Sequence, residues 1–106
     1  MEEGRSEWSS PAFVVAKKGT SKWRGVVDFR ALNEATATDT YPLPRIEDML
    51  VNFCKKAIFT VMDLKDAFHL VPLHPDSRPY TCTSSPIGTK QWRVVVMGLK
   101  NGVPIF

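Results

Sequence analysis

Long apolar runs are missing from this chain of 106 residues. No stretch approaches the ~18 consecutive apolar residues of a membrane helix, so no membrane span and no membrane partner is expected. No basic start leads into an apolar segment, so a signal peptide is not expected and the cytoplasm is the default location. Cysteine is scarce. Cys54 and Cys82 are too few for a disulfide framework and are expected to be free, buried thiols. His69 and His74 have no further histidine or cysteine at ligand spacing, which argues against a zinc site. The glycines form neither a phosphate loop nor a dinucleotide fingerprint. Thr83, Ser84 and Ser85 have no activating base at hand, so acyl transfer has no support. There is no pair of adjacent aspartates, no internal repeat and no convincing linker.

Folding material, by contrast, is plentiful. Hydrophobic residues make up 43% and charged residues 24%, a composition that excludes a disordered polar tail. The length implies one domain, and a small one, in which every element must share the same core. The net charge of +3 is mild. Its placement says more: Lys17, Lys18, Lys22, Arg24 and Arg30 crowd a short segment opposed only by Asp28. Residues 1–10 carry Glu2, Glu3 and Glu7 against Arg5 and read as a polar leader.

The pattern predicts a β-hairpin over about 12–30. Its strands are Ala12–Lys17 and Lys22–Phe29, and Gly19 sits in the turn between them. Arg30–Asp39 is polar and small, with Leu32 and Asn33 placed in a turn. After the extended Tyr41-Pro42-Leu43-Pro44, a helix is predicted over about 44–54, with Ile46, Met49, Leu50 and Phe53 as one apolar stripe. Glu47 and Asp48 fall in its first turn, where the helix dipole favours them. Ala57–Leu64 reads as a mostly buried strand. Asp66–His69 reads as a turn or short helix, and His74–Pro79 as a loop. A strand is expected at Tyr80–Thr83, a loop at Ser84–Lys90 and a strand at Gln91–Met97. A new apolar element begins at Val103-Pro104-Ile105-Phe106, which suggests a longer architecture.

Two features carry possible chemistry. Asp63 interrupts an apolar run at a strand end, where a carboxylate either ligates a divalent cation or caps the following turn. Asp66 fits the N-cap of the short helix. One carboxylate is a poor two-metal site, because such chemistry needs several bridging ions ~3.5–4 Å apart. The basic hairpin can contact a triphosphate or a nucleic-acid backbone, or be an ordinary solvated charge run. Trp23 offers either stacking or strand packing.

Five segments in order then resemble the front part of a reverse transcriptase of long-terminal-repeat retrotransposons and retroviruses. They are Ser10-Pro11-Ala12-Phe13-Val14-Val15, Lys22 through Asn33, Tyr41 through Ile46, Phe59 through His69, and Met97 through Asn101. The resemblance covers nearly the whole chain. It implies an α+β fold, a partial fingers and palm: a projecting fingers hairpin, the helix, and an incomplete antiparallel palm sheet within 57–106. Residues 11–106 would then be a partial reverse transcriptase domain. It implies an RNA-directed DNA polymerase that transfers deoxynucleotides to a primer on a template, with Mg²⁺ or Mn²⁺ as cofactor in the complete enzyme.

Residue by residue, Asp63 matches the first metal-binding aspartate and Phe68 the aromatic floor beneath the sugar, which rejects a 2′-hydroxyl. Lys17 and Arg24 match the nucleotide-phosphate contacts, with Lys22 beside them on the nucleotide, and Asp66, Ala67 and Gly98 border the same nucleotide. Lys18, Trp23 and Arg30 are expected on the nucleic acid. The Tyr-X-Asp-Asp element of the family is absent from these residues. Val96 stands where the family has proline, and the proline after Asn101 is one place late, at Pro104. The expectation is therefore a segment inactive by itself, holding no metal stably, with its palm completed by another chain. The alternative is a repurposed nucleic-acid-binding or protein-interaction module.

Overall fold

The structure, a computed structural model, describes all of residues 1–106. One mixed sheet organises it. Its strands are β1 (Glu2–Glu3), β2 (Ser10–Ala16), β3 (Trp23–Val27), β4 (Thr83–Ser85) and β5 (Gly88–Gln91), in the spatial order β1-β5-β4-β2-β3. The helices are α1 (Arg30–Ala35), α2 (Ile46–Phe53) and α3 (Gly102–Ile105). Two 3-10 segments, Ala67–Leu70 and Pro75–Thr81, lie between α2 and β4.

β2 and β3 form the predicted hairpin, antiparallel from Ala12↔Val27 to Ala16↔Trp23. Gly19 takes φ +76° at the tip, a conformation glycine adopts without a Cβ clash. The hairpin is not a free arm at its base. Ser10 and Pro11 pair in parallel with Thr83 and Ser84, and the Ser10 N–H donates to the Cys82 carbonyl at 2.8 Å. This parallel junction joins the hairpin to β4 and β5, which pair antiparallel within 57–106, and makes the sheet mixed. It arises because the chain returns to β2 from the far side, after more than fifty residues.

Residues 1–10 are tied down as well as polar. Glu2 and Glu3 pair with Gln91 and Lys90, and the Glu2 carboxylate accepts from Gln91 Nε2 at 2.9 Å. Arg78 and Arg93 approach the same carboxylate at 3.4 and 3.7 Å. The Gln91 hydrogen bond and then these guanidinium groups lower the Glu2 pKa.

Other local expectations are corrected. Arg30–Ala35 is a helix, not a turn, because Leu32 faces the core and is buried. Tyr80 and Thr81 end a 3-10 segment, not a strand, since Pro75 and Pro79 fix φ near helical values. Ser84–Lys90 is the β4–β5 hairpin, not a loop, turning at Pro86-Ile87 with Gly88 at φ +117°. Gln91–Met97 keeps ladder geometry only to Gln91, after which Val94 makes one isolated bridge to Pro72. Cys82 is buried, but Cys54 is exposed.

The core sits where α1, the 92–99 segment and the N-terminal segment cross. Phe29, Leu32 and Val96 form it, with Trp8, Val27, Trp92 and Leu99 packed around. A polar seam supports one side. The Trp92 indole N–H donates to Thr83 Oγ1, and the Trp92 backbone N–H donates to Thr81 Oγ1, each at 3.1 Å. No buried side-chain nitrogen or oxygen lacks a partner.

α2 and the segment after it differ entirely. No residue of α2 is buried. Ala57–Leu64, expected as a buried strand, is exposed throughout and pairs with nothing. A strand needs a neighbouring backbone for its N–H and C=O groups, and these residues find none. Phe53 and Phe59 meet edge to face at 5.6 Å, a local contact within this arm. The radius of gyration of 17.4 Å records the extension, against ~13 Å for a compact chain of this length.

Candidate functional site

A cavity of about 600 Å³ opens beside the core, between the base of the hairpin and the returning chain. β3 contributes Arg24 and Gly25 to its wall. The turn into the first 3-10 segment contributes Asp66, Ala67 and Phe68, and the turn at 97–98 contributes Met97 and Gly98. Five residues expected to bind a nucleotide, Arg24, Asp66, Ala67, Phe68 and Gly98, thus line one space despite their distance in sequence. His69, Trp92 and Leu64 also line it and were not singled out by sequence. By sequence Trp92 is only one residue of the strand expected at Gln91–Met97, and His69 only a histidine without further ligands.

Local structure explains the wall. Asp66 is the one non-glycine residue with positive φ, at +52°, a region aspartate tolerates better than most residues. It starts the 3-10 segment through its carbonyl, which accepts from the His69 N–H at 2.9 Å. Its carboxylate makes no capping hydrogen bond, so the side chain is not consumed by the turn. Phe68 meets Phe106 edge to face at 5.9 Å, and its ring lies 3.8 Å from where a Cβ on Gly102 would stand. α3 therefore backs the ring from behind. His69 stacks on Trp92 with centroids 6.2 Å apart. Gly98 has φ +101° and turns the chain over Phe29.

Apart from Arg24 and the other residues of the cavity wall, the predicted residues lie elsewhere. Arg24 makes no ion pair, so its guanidinium is free to meet an anion. Lys17, Lys18 and Lys22 cluster at the exposed hairpin tip, outside the cavity. Trp23 is 70% exposed at the hairpin end and packs into no core. Arg30 is engaged by Asp28 through a fork of bonds, Nη2 to Oδ2 at 2.6 Å and Nε to Oδ1 at 2.9 Å. Those hydrogen bonds hold the Asp28 carboxyl down at about 2 and raise the Arg30 pKa.

Asp63 lies on the exposed arm, just before the cavity wall begins at Leu64. No group of three or more His, Cys, Asp or Glu side chains comes together anywhere in the chain. A catalytic Mg²⁺ or Mn²⁺ is held by several oxygen ligands, so the carboxylates present do not amount to such a site. No helix is long and apolar enough to cross a membrane. A second hollow of about 350 Å³ lies under α1, lined by residues such as Leu73, Val95 and Ile105, and contains none of the predicted site residues.

Comparison with known proteins follows the same residues. The reverse transcriptase (RNA-dependent DNA polymerase) family matches residues 15–106. The retrovirus-related Pol polyprotein from transposon gypsy of Drosophila melanogaster is 40% identical over 96% of this chain. The enzymatic polyprotein of cauliflower mosaic virus (strain Strasbourg) is 38% identical over all of it. The Pol polyprotein from transposon 297 of Drosophila melanogaster is 34% identical, again over the whole chain. The matched regions are 10%, 16% and 10% of those polyproteins, so the chain spans a small part of each relative's length. With the match running unbroken from the hairpin through the cavity wall to Phe106, this chain belongs to the reverse transcriptase (RNA-dependent DNA polymerase) family.

Proposed function

We propose that this chain forms the nucleotide-facing part of an RNA-directed DNA polymerase, and that the 600 Å³ cavity receives a deoxynucleoside triphosphate. The observation that carries this reading is the convergence of Arg24, Asp66–Phe68 and Gly98 on one cavity inside a chain of this family. Arg24 suits the triphosphate, because a planar guanidinium offers paired donors to phosphate oxygens. Lys17 and Lys22 extend the positive field along the hairpin, and steer the anion more than they bind it. Phe68, backed by α3, forms a floor whose ring occupies the volume a 2′-hydroxyl would need. Ala67 and the Asp66 backbone border the sugar and phosphates, and Gly98 closes the far wall. Lys18 and Trp23 at the hairpin tip face a template strand by charge and by stacking, with Arg30 and its Asp28 partner behind them.

Asp63 acts in this reading as one metal ligand of a polymerase centre whose other carboxylates these residues do not contain. The 106-residue chain by itself is accordingly inactive in nucleotidyl transfer. Two measurements test the reading. Titration of the chain with deoxyadenosine triphosphate and Mg²⁺, followed by NMR, should shift the amides of Arg24, Phe68 and Gly98, and Arg24→Ala should weaken binding by about tenfold, the loss of one charge-assisted contact. Shifts confined to other residues would sink the nucleotide assignment. Primer extension on an RNA template with Mg²⁺ or Mn²⁺ should give no product. Template-dependent extension abolished by Asp63→Asn would overturn the inactivity claim.

A further inference from the structure

The turn that carries Gly98 is poorly held by its own backbone. The last strand-like bond before it runs from the Val95 N–H to the Val71 carbonyl at 2.8 Å. Within the turn, the Leu99 N–H reaches the Val96 carbonyl only at 3.4 Å, and regular bonding resumes with Gly102 N–H to the Leu99 carbonyl at 3.0 Å. Something outside the turn must set its position.

Asn33 does so. From the middle of α1, its Nδ2 donates to the Gly98 carbonyl at 2.8 Å, while its Oδ1 accepts from the Lys100 backbone N–H at 2.8 Å. One side-chain amide thus spans the turn with a donor and an acceptor at once. Asparagine is a weak helix former, and the interior of a six-residue helix gives it no local reason to be there. A second stitch lies further along. Lys100 Nζ donates to the Thr36 carbonyl at 2.8 Å, and Asn101 bridges the Ala37 carbonyl and the Asp39 N–H at 2.8 and 3.0 Å. Of these groups only Asn33 bonds directly to a residue that lines the nucleotide cavity.

We propose that Asn33 is a positioning residue for the nucleotide site: it holds the Gly98 wall from the side opposite the ligand and so sets how closely that wall approaches the sugar and base. This rests on the nucleotide reading given above. The triphosphate end, at Arg24, lies outside its influence.

The test uses the full 106-residue chain with two probes, deoxyadenosine triphosphate with Mg²⁺ and inorganic tripolyphosphate. Asn33→Ala should speed exchange of the Lys100 amide and weaken nucleotide binding by about fivefold, the loss of roughly one hydrogen bond's worth, while leaving tripolyphosphate affinity unchanged. Asn33→Gln keeps both bonding groups but moves the wall by one methylene. It should show the same split in milder form, and it carries the comparison should Asn33→Ala not fold. Asn101→Ala removes the second stitch and should leave nucleotide affinity within about twofold. Equal nucleotide binding by wild type and both Asn33 variants overturns the positioning role alone. Parallel weakening of both probes also overturns it, since general loosening would do that. A wild-type chain that binds neither probe removes the nucleotide reading and this inference together.

Discussion

Phe29, Leu32 and Val96 on one side, and Ile46, Leu50, Val61 and Met62 on the other, are side chains of the same chemical kind. Phe29 is 2% exposed and Val61 is 92% exposed. The first set lies where three stretches remote in sequence cross, so each side chain has a surface to be buried against. The second set lies on an arm that leaves the body after Asp39 and rejoins it at the cavity wall, with no surface opposite it. Apolar pattern states which residues gain by burial. It does not state that the covering surface is among the same residues. The cavity belongs to the anchored part for all but its 64–69 edge, where the arm returns.

The comparison predicts where this chain's stability resides. Phe29→Ala should have the largest effect, about 3–5 kcal/mol, because it empties the centre of a three-residue core. Only nine residues are buried in all, so this loss rivals the entire stability expected of so small a domain. Urea unfolding followed by circular dichroism should lose its cooperative transition. A retained transition with an unchanged midpoint would break the assignment of stability to this crossing.

Thr83→Val should come next, at about 1–2 kcal/mol. The Thr83 hydroxyl accepts the Trp92 indole N–H and donates to the Thr81 carbonyl, so the isosteric change leaves both partners unpaired at the core's edge. Urea midpoints for the single variant and for Thr83→Val with Trp92→Phe would sharpen this. The double variant removes the stranded donor and should recover part of the loss.

A smaller effect depends on pH. Asp28 is held at about 2 in the folded chain by its hydrogen bonds from Arg30, against 3.8 ordinarily. Between those values the unfolded chain takes up the proton first, so the stability this pair supplies is complete above 3.8 and is lost as pH falls towards 2. Asp28→Asn should flatten that acid limb and lower neutral-pH stability by the same modest amount, because the pair is lost at every pH and its Arg30 side is solvent-exposed. NMR titration of the Asp28 carboxyl gives the direct check, and a midpoint near 3.8 would remove the effect.

How much of this was legible in the sequence follows the same division. The hairpin was, because alternation and the Lys18–Ser21 turn are local signals, and α2 was, because its stripe and acidic first turn are local too. α1 was not. Its single buried residue, Leu32, makes no periodic pattern, and the helix is fixed by Phe29 and by the Asn33 and Lys100 bonds to a turn 65 residues away. The parallel junction of β2 with β4 and the anchoring of Glu2 were illegible for the same reason, being made between distant segments. For the site, the family motifs supplied Arg24, Asp66, Ala67, Phe68 and Gly98. His69 and Trp92 became visible only when the chain was folded around the cavity. Arg30 is expected on the nucleic acid from sequence, and its engagement by Asp28 two residues earlier rests on side-chain geometry that composition does not encode.

The smallest expected effect lies on the arm. Leu50→Gln removes an apolar side chain that is already half exposed and touches no core, so unfolding free energy should change by less than about 0.5 kcal/mol. The same substitution in the stripe of a packed helix would cost several times more, since burial of a leucine is worth about 1.5–3 kcal/mol. Solubility should instead rise, because Ile46, Leu50, Ile58, Val61 and Met62 together expose apolar surface of the kind that drives association. Hydrogen exchange separates the alternatives. Amides of 57–64 have no backbone partners and should exchange at nearly unprotected rates, while those of β2 and β3 are protected. Protection of 57–64 that rises with protein concentration and falls in Leu50→Gln would mean that copies of the chain cover one another's arms, and that the exposed side chains seen in the single chain belong to an interface. Uniform lack of protection at every concentration would leave the arm as apolar surface without a cover, and would place all of the fold's cooperativity in the crossing around Phe29.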